Sequence, residues 1–141
     1  MINLKPLNKG TTNSMKSNRR KNTHPELIIR EALRDAGYRG YRLQWKVPGR
    51  PDISYPGKKT AIFVNGCFWH RCPKCNLKLP VHNSEFWSEK FRKNIERDNR
   101  NYTTLKELGW KVIIIWECEI NEDLSGCVRK ITDEINTPHH I

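Results

Sequence analysis

No apolar run in the 141 residues is long enough to span a bilayer, and no basic amphipathic stretch has a wide apolar face, so membrane insertion is not expected. Residues 1–21 lack the apolar core of a signal peptide, which points to a soluble cytoplasmic protein. Acids are scarce. Fifteen Asp and Glu face 26 Lys and Arg, a formal charge of +11, and such an excess creates a field that attracts polyanions, with nucleic acid the foremost candidate. Five cysteines cannot all pair, and nothing suggests export, which favours thiol or metal chemistry over disulfides. Internal repeats are absent, and the length suits one domain with its own core.

Residues 1–25 hold Lys5, Lys9, Lys16, Arg19, Arg20 and Lys21 but no acid, the composition of a flexible basic arm that either solubilises or grips DNA. A helix is expected from Pro25 to Ala36, capped by Thr23 or His24 and ended at Gly37. Tyr41, Leu43, Trp45 and Val47 alternate with polar residues and predict a strand that Pro48-Gly49 ends. Asp52–Tyr55 suits a second strand, and Thr60–Val64, almost wholly apolar, a central third. Residues 66–83 read as an irregular loop whose cysteines argue for function. Ser84 is the expected cap of a long helix running to Leu108 and stopped by Gly109. Val112–Trp116 then makes another central strand, parallel to the third through a right-handed crossover, and residues 121–135 a closing helix. The expectation is an α/β sandwich around a mixed sheet.

Three cysteines and a histidine lie within the nine residues from Cys67 to Cys75, with Cys118 just after a strand that can lie beside them. Cys67, Cys72, Cys75, Cys118 and His70 thus compete for four places in a tetrahedral zinc site that would order a coreless loop, while Cys127 is expected to stand aside. Asp52, at the start of a short strand, is either an ordinary turn residue or a ligand for a hard cation such as magnesium. On the long helix Phe91, Ile95, Asp98, Tyr102 and Leu105 recur every three or four residues, which puts the carboxylate of Asp98 on the buried stripe. A carboxylate there needs a partner. Phe68, Trp69 and Trp87 can stack on or wedge between bases, whereas Phe86 is expected in the core. Glu26 suits the helix dipole in the first turn and could equally face a catalytic rim.

From Met15 to Ile120 the chain resembles the very short patch repair (Vsr) endonucleases of the PD-(D/E)xK superfamily. The likeness rests on Thr23-x-x-Glu26, Pro48-Gly49-Arg50-Pro51-Asp52, Gly66-Cys67-Phe68-Trp69-His70, Glu85-Phe86-Trp87, Asn94-Ile95-Glu96-Arg97-Asp98, Glu107-Leu108-Gly109-Trp110 and Trp116-Glu117-Cys118. It implies a restriction-endonuclease-like domain over residues 23–141 behind a basic arm of residues 1–22. It further implies catalytic magnesium held by Asp52 and the main-chain carbonyl of Val64, water around the metal ordered by Glu26, and His70 as general base oriented by Asp98. Zinc goes to Cys67, Cys72, Cys75 and Cys118. Phe68, Trp69 and Trp87 would enter the major-groove side of a T:G mismatch, and the arm around Met15, with Lys16, Arg19 and Arg20, the minor groove. The implied product is a single-strand nick with a 5′-phosphate, made by a monomer. Two positions depart from the family pattern. Asn65 stands where a His is common, which alters one contact to water at the metal, and Cys72 stands where a ligand His is usual, with one extra residue before Cys75.

Overall fold

A computed structural model describes residues 23–137. The expected basic arm, with Met15, Lys16, Arg19 and Arg20, lies outside the described residues. The elements follow in the order α1 (His24–Asp35), β1 (Arg42–Leu43), β2 (Ile53–Tyr55), β3 (Thr60–Asn65), α2 (Cys67–His70), α3 (Ser84–Glu107), β4 (Lys111–Trp116), α4 (Glu117–Glu122) and α5 (Leu124–Asn136). The strands lie in one sheet in sequence order. β1 to β3 run antiparallel, and β3 and β4 pair in parallel from Thr60–Lys111 to Asn65–Trp116, joined by the crossover through α3. This is the mixed α/β sheet that the alternating elements called for.

Period-two alternation divides the strand residues between two faces. Ile53, Tyr55, Ile62, Val64, Ile113 and Ile115 form one apolar face, covered by Ile29 and Leu33 of α1 and by Ile131 and Ile135 of α5. Ala61 and Phe63 point to the other face, where α3 supplies Leu105 and the half-buried Tyr102. The same parity carries Asp52 and Asn65 to the α3 side.

Several local expectations need correction. The strand expected over Tyr41 to Val47 is only Arg42–Leu43, since Gln44 takes a left-handed φ of 49° and turns the chain. Gly49 adopts φ 82°, and a Cβ there would meet Asn101 at 3.0 Å and the Phe63 ring at 3.2 Å, so glycine lets this turn close against α3. Residues 67–70 form a helical turn inside the expected loop, ended by Arg71 at φ 56°. Asn83, not Ser84, precedes α3 as its N-cap, at φ 58° and without a side-chain cap bond. Thr23 does cap α1, its hydroxyl accepting from the Glu26 amide at 3.4 Å. The closing helix is shorter at its start than expected, because α4 forms a separate turn before Asp123 caps α5.

Candidate active site and metal centre

β3 and β4 end side by side. Asn65 pairs with Trp116, so Cys67 and Cys118, each two residues further on, emerge together, and the Cys118 amide donates to Sγ of Cys67 at 3.4 Å. The turn of α2 brings in Cys72, whose amide donates to the Cys67 carbonyl at 2.9 Å. Cys67, Cys72, Cys75 and Cys118 consequently hold their sulfurs within 4.8 Å of one another, a group that could bind a metal ion. Tetrahedral Zn–S bonds of about 2.3 Å require sulfurs roughly 3.8 Å apart. Cys72 and Cys118 stand at 3.7 Å, so this donor set fits zinc. Burial pushes the thiols of Cys67 and Cys118 up, the latter to about 11. For Cys72 burial acts in the same direction, but hydrogen bonds from the amides of Cys75 and Lys74 outweigh it and hold this thiol below its ordinary range. Cys127 sits apart, on the buried side of α5 in the core.

His70 is not a member of this cluster. At the end of α2 it faces α3, and its Nδ1 lies 2.7 Å from Oδ2 of Asp98. The partner that a carboxylate on this helix needs is therefore a histidine. Both residues line a cleft of about 840 Å³ together with Asp52, Val64 and Asn65. Beyond the last β2–β3 pair, Oδ2 of Asp52 accepts from the Val64 amide at 2.8 Å, which holds the carboxylate at the strand ends. Asp52 and the Val64 main chain offer the oxygen chemistry that magnesium prefers.

Glu26 does not line this cleft, although Thr23, His24 and Pro25 do. Its side chain is 1% exposed, and Oε2 accepts from Nη1 of Arg30 at 3.3 Å. Phe68, Trp69, Trp87 and Phe91 form a continuous aromatic cluster with ring centroids 5.1 to 6.1 Å apart. Trp87 is buried within it, while Phe68 and Trp69 are half exposed. Phe86, expected in the core, is instead 60% exposed, at the outer edge of this cluster with its ring edge-on to Trp87 at 5.4 Å. Arg71 stacks its guanidinium 4.4 Å from the Phe91 ring centre and donates to the carbonyls of Phe68 and Leu77, which ties the cysteine loop to α3.

The stripe proposed for α3 also shifts. Ile95 is 39% exposed, and Asn94 takes its place on the inner side. Lys90, Asn94, Arg97 and Asn101 line the cleft, as does Glu117, whose Oε1 accepts from the Cys67 amide at 3.4 Å. None of these five drew a role from the sequence, although Asn94, Arg97 and Glu117 lie in blocks that carry the likeness. The recurrence of polar residues at 90, 94, 97 and 101 was the available signal, since that spacing follows one helix face. Tyr102, one turn after Asp98, accepts from Nδ2 of Asn65 at 3.0 Å, and burial pushes its phenol up to about 12.

Residues 8–77 match the profile of a family described as DNA mismatch endonuclease Vsr. The type II nicking enzyme V.NaeI of Lentzea aerocolonigenes is 40% identical over 141 residues, covering 96% of this chain and 81% of that protein. This chain belongs to the Vsr endonuclease family. The type II nicking enzyme V.NmeAIP of Neisseria meningitidis serogroup A is 41% identical over 123 residues, covering 82% of this chain and 86% of the relative. DNA mismatch endonuclease Vsr of Escherichia coli is 44% identical over 91 residues, 64% of this chain and 55% of that protein. Membership accords with the mixed sheet and makes the chain a homologue of DNA-acting nucleases. No helix among the described residues is long and apolar enough to cross a membrane.

Proposed function

We propose that this Vsr-family protein nicks one strand of duplex DNA beside a T:G mismatch by magnesium-dependent hydrolysis. The observation that carries the reading is the 2.7 Å contact between His70 and Asp98 in the same cleft as Asp52. Asp98 takes the proton of Nδ1 as a hydrogen bond, which leaves the lone pair on Nε2. His70 then draws a proton from water at Nε2 as that water attacks phosphorus, and Asp98 stabilises the resulting imidazolium. The new P–O bond forms as the bond to the 3′-oxygen breaks, leaving a 5′-phosphate. Asp52 and the Val64 carbonyl would hold magnesium, which supplies charge neutralisation at the phosphate and the leaving oxygen. Glu26 is assigned the ordering of nearby water from the buried side of α1.

Cys67, Cys72, Cys75 and Cys118 would hold zinc, and with it they would fix α2 and thereby His70. Phe68, Trp69 and Trp87 form the wedge toward the mismatch, since a wobble pair is cheaper to unstack than a Watson–Crick pair. Met15, Lys16, Arg19 and Arg20 are assigned to the minor groove, and the protein acts as a monomer.

The test is incubation with magnesium and end-labelled duplexes carrying T:G or T:A, using the wild type, Asp52→Ala and His70→Ala. Nicking of the T:G duplex alone by the wild type, with loss in both variants, is expected. Equal cutting of matched DNA favours sequence-directed nicking without a mismatch, which the nicking-enzyme names of V.NaeI and V.NmeAIP commend as the second reading. No cutting with binding retained overturns both and leaves a zinc-stabilised DNA-binding module.

A further inference from the structure

Asn65 and Tyr102 share the catalytic cleft and have no part in the proton transfer just described. Two side-chain hydrogen bonds tie the segment from Asn65 to His70 to α3, beside the ring contacts of Phe68 and Trp69. One tie is the His70–Asp98 couple, and the other is the neutral bond from Asn65 Nδ2 to the Tyr102 hydroxyl at 3.0 Å. Tyr102 lies four residues after Asp98, on the same helix face. Its ring packs edge-on against Phe63 with centroids 5.0 Å apart, a contact that phenylalanine would make equally well. Packing accounts for the ring but not for the oxygen.

A phenol has one proton to donate and lone pairs to accept with. Here the oxygen accepts from Asn65, and among the described residues that is the one hydrogen bond the hydroxyl makes. The proton is left for a ligand in the cleft. Such a ligand must tolerate the nearby carboxylates of Asp52 and Asp98, and a phosphodiester does so once cations surround it; Lys90, Arg50 and Arg97 line the same cleft. A neutral donor suits this place because a cation there would pair with the carboxylates instead of the substrate. A carboxamide at residue 65 suits it as well, since its N–H donates to the phenol at any working pH.

We propose that the Tyr102 hydroxyl, oriented by Asn65, donates a hydrogen bond to a non-bridging oxygen of the scissile phosphate. The inference rests on the nuclease reading above. Charge grows on those oxygens as the nucleophile arrives, so the bond strengthens toward the transition state.

The experiment compares the wild type and Tyr102→Phe in single turnover on the nicked duplex, with the scissile linkage as oxygen or as either phosphorothioate diastereomer. Melting and DNA binding are measured alongside. Removing one donor aimed at developing charge lowers the rate on the order of 10²-fold. Tyr102→Phe is expected to lose that rate with DNA binding unchanged and melting lowered only by the loss of the Asn65 bond, and to lose sensitivity to sulfur in one diastereomer only. Wild-type rates in Tyr102→Phe overturn the proposal, and so does an equal loss on all three linkages, which marks a packing role. A wild type that nicks no duplex overturns the nuclease reading itself, and this inference with it.

Discussion

On one face of the sheet, six apolar strand residues pack against five buried residues of α1 and α5 with little polar interruption. On the other, Ala61 and Phe63 meet a small cluster around Leu105, and the next residue of that parity is Asn65, at the floor of the cleft. Both faces come from the same strands. The first spends its positions on burial, and the second stops burying apolar groups where β2 and β3 end, so that Asp52, Asn65, His70 and Asp98 meet at one rim. Stability and chemistry are thereby separated by strand parity. The cysteine cluster is the joint between them, since it grows from the ends of the two central strands and carries His70.

Breaking that joint has the largest expected effect. Cys118→Ser should release the metal and abolish nicking, because the binding energy of a structural zinc site is folding energy for the segment it orders. Zinc content by metal analysis checks this. The pH dependence has a definite sign. Burial keeps the thiols of Cys67 and Cys118 protonated at neutral pH in the metal-free protein, so binding must expel those protons and affinity must fall as pH falls. Chelator titrations from pH 8 down to pH 6 should show progressively easier metal loss.

The buried face comes next. Ile131→Ala should cost about 2–5 kcal/mol in denaturant unfolding, the usual loss for truncating a fully buried isoleucine, while the nicking rate per folded molecule stays as it was. A large fall in that rate would show that the two faces are not separate.

The smallest effect sharpens the assignment of the helix face. Ile95→Ala should change stability by no more than about 0.5 kcal/mol, as exposed substitutions do. A core-sized loss would return Ile95 to the inner stripe.

That stripe shows what was legible in the sequence and what was not. The period of α3 put Phe91, Asp98, Tyr102 and Leu105 inward, and the need of Asp98 for a partner followed from burial alone. Ile95 does not follow that period, since hydrophobicity does not mark the inner face where Asn94 borders an open polar cleft. The parallel pairing of β3 and β4 was foreseeable from two apolar runs flanking a long helix, and it accounts for the meeting of Cys67 with Cys118. Choosing four sulfurs over His70 needed the path of α2, a local turn that no periodicity announces in four residues. Phe86 and Trp87 could not be told apart by composition, since adjacent helix residues point about 100° apart and the phase of the helix decides which one is buried. The strand expected over Tyr41 to Val47 failed at Gln44, whose left-handed backbone no residue type there foretold. Glu26 fitted its helix-dipole reading by position, while its burial beside Arg30 emerged only in three dimensions.

The most direct test of the separation is single-turnover nicking by His70→Ala, measured together with its melting temperature and zinc content. A general base contributes about 10²–10⁴ in rate. The rate should fall by that much while zinc stays at the wild-type value and melting falls only by what the lost Asp98 bond accounts for. A wild-type rate in His70→Ala, with zinc retained, would contradict the account.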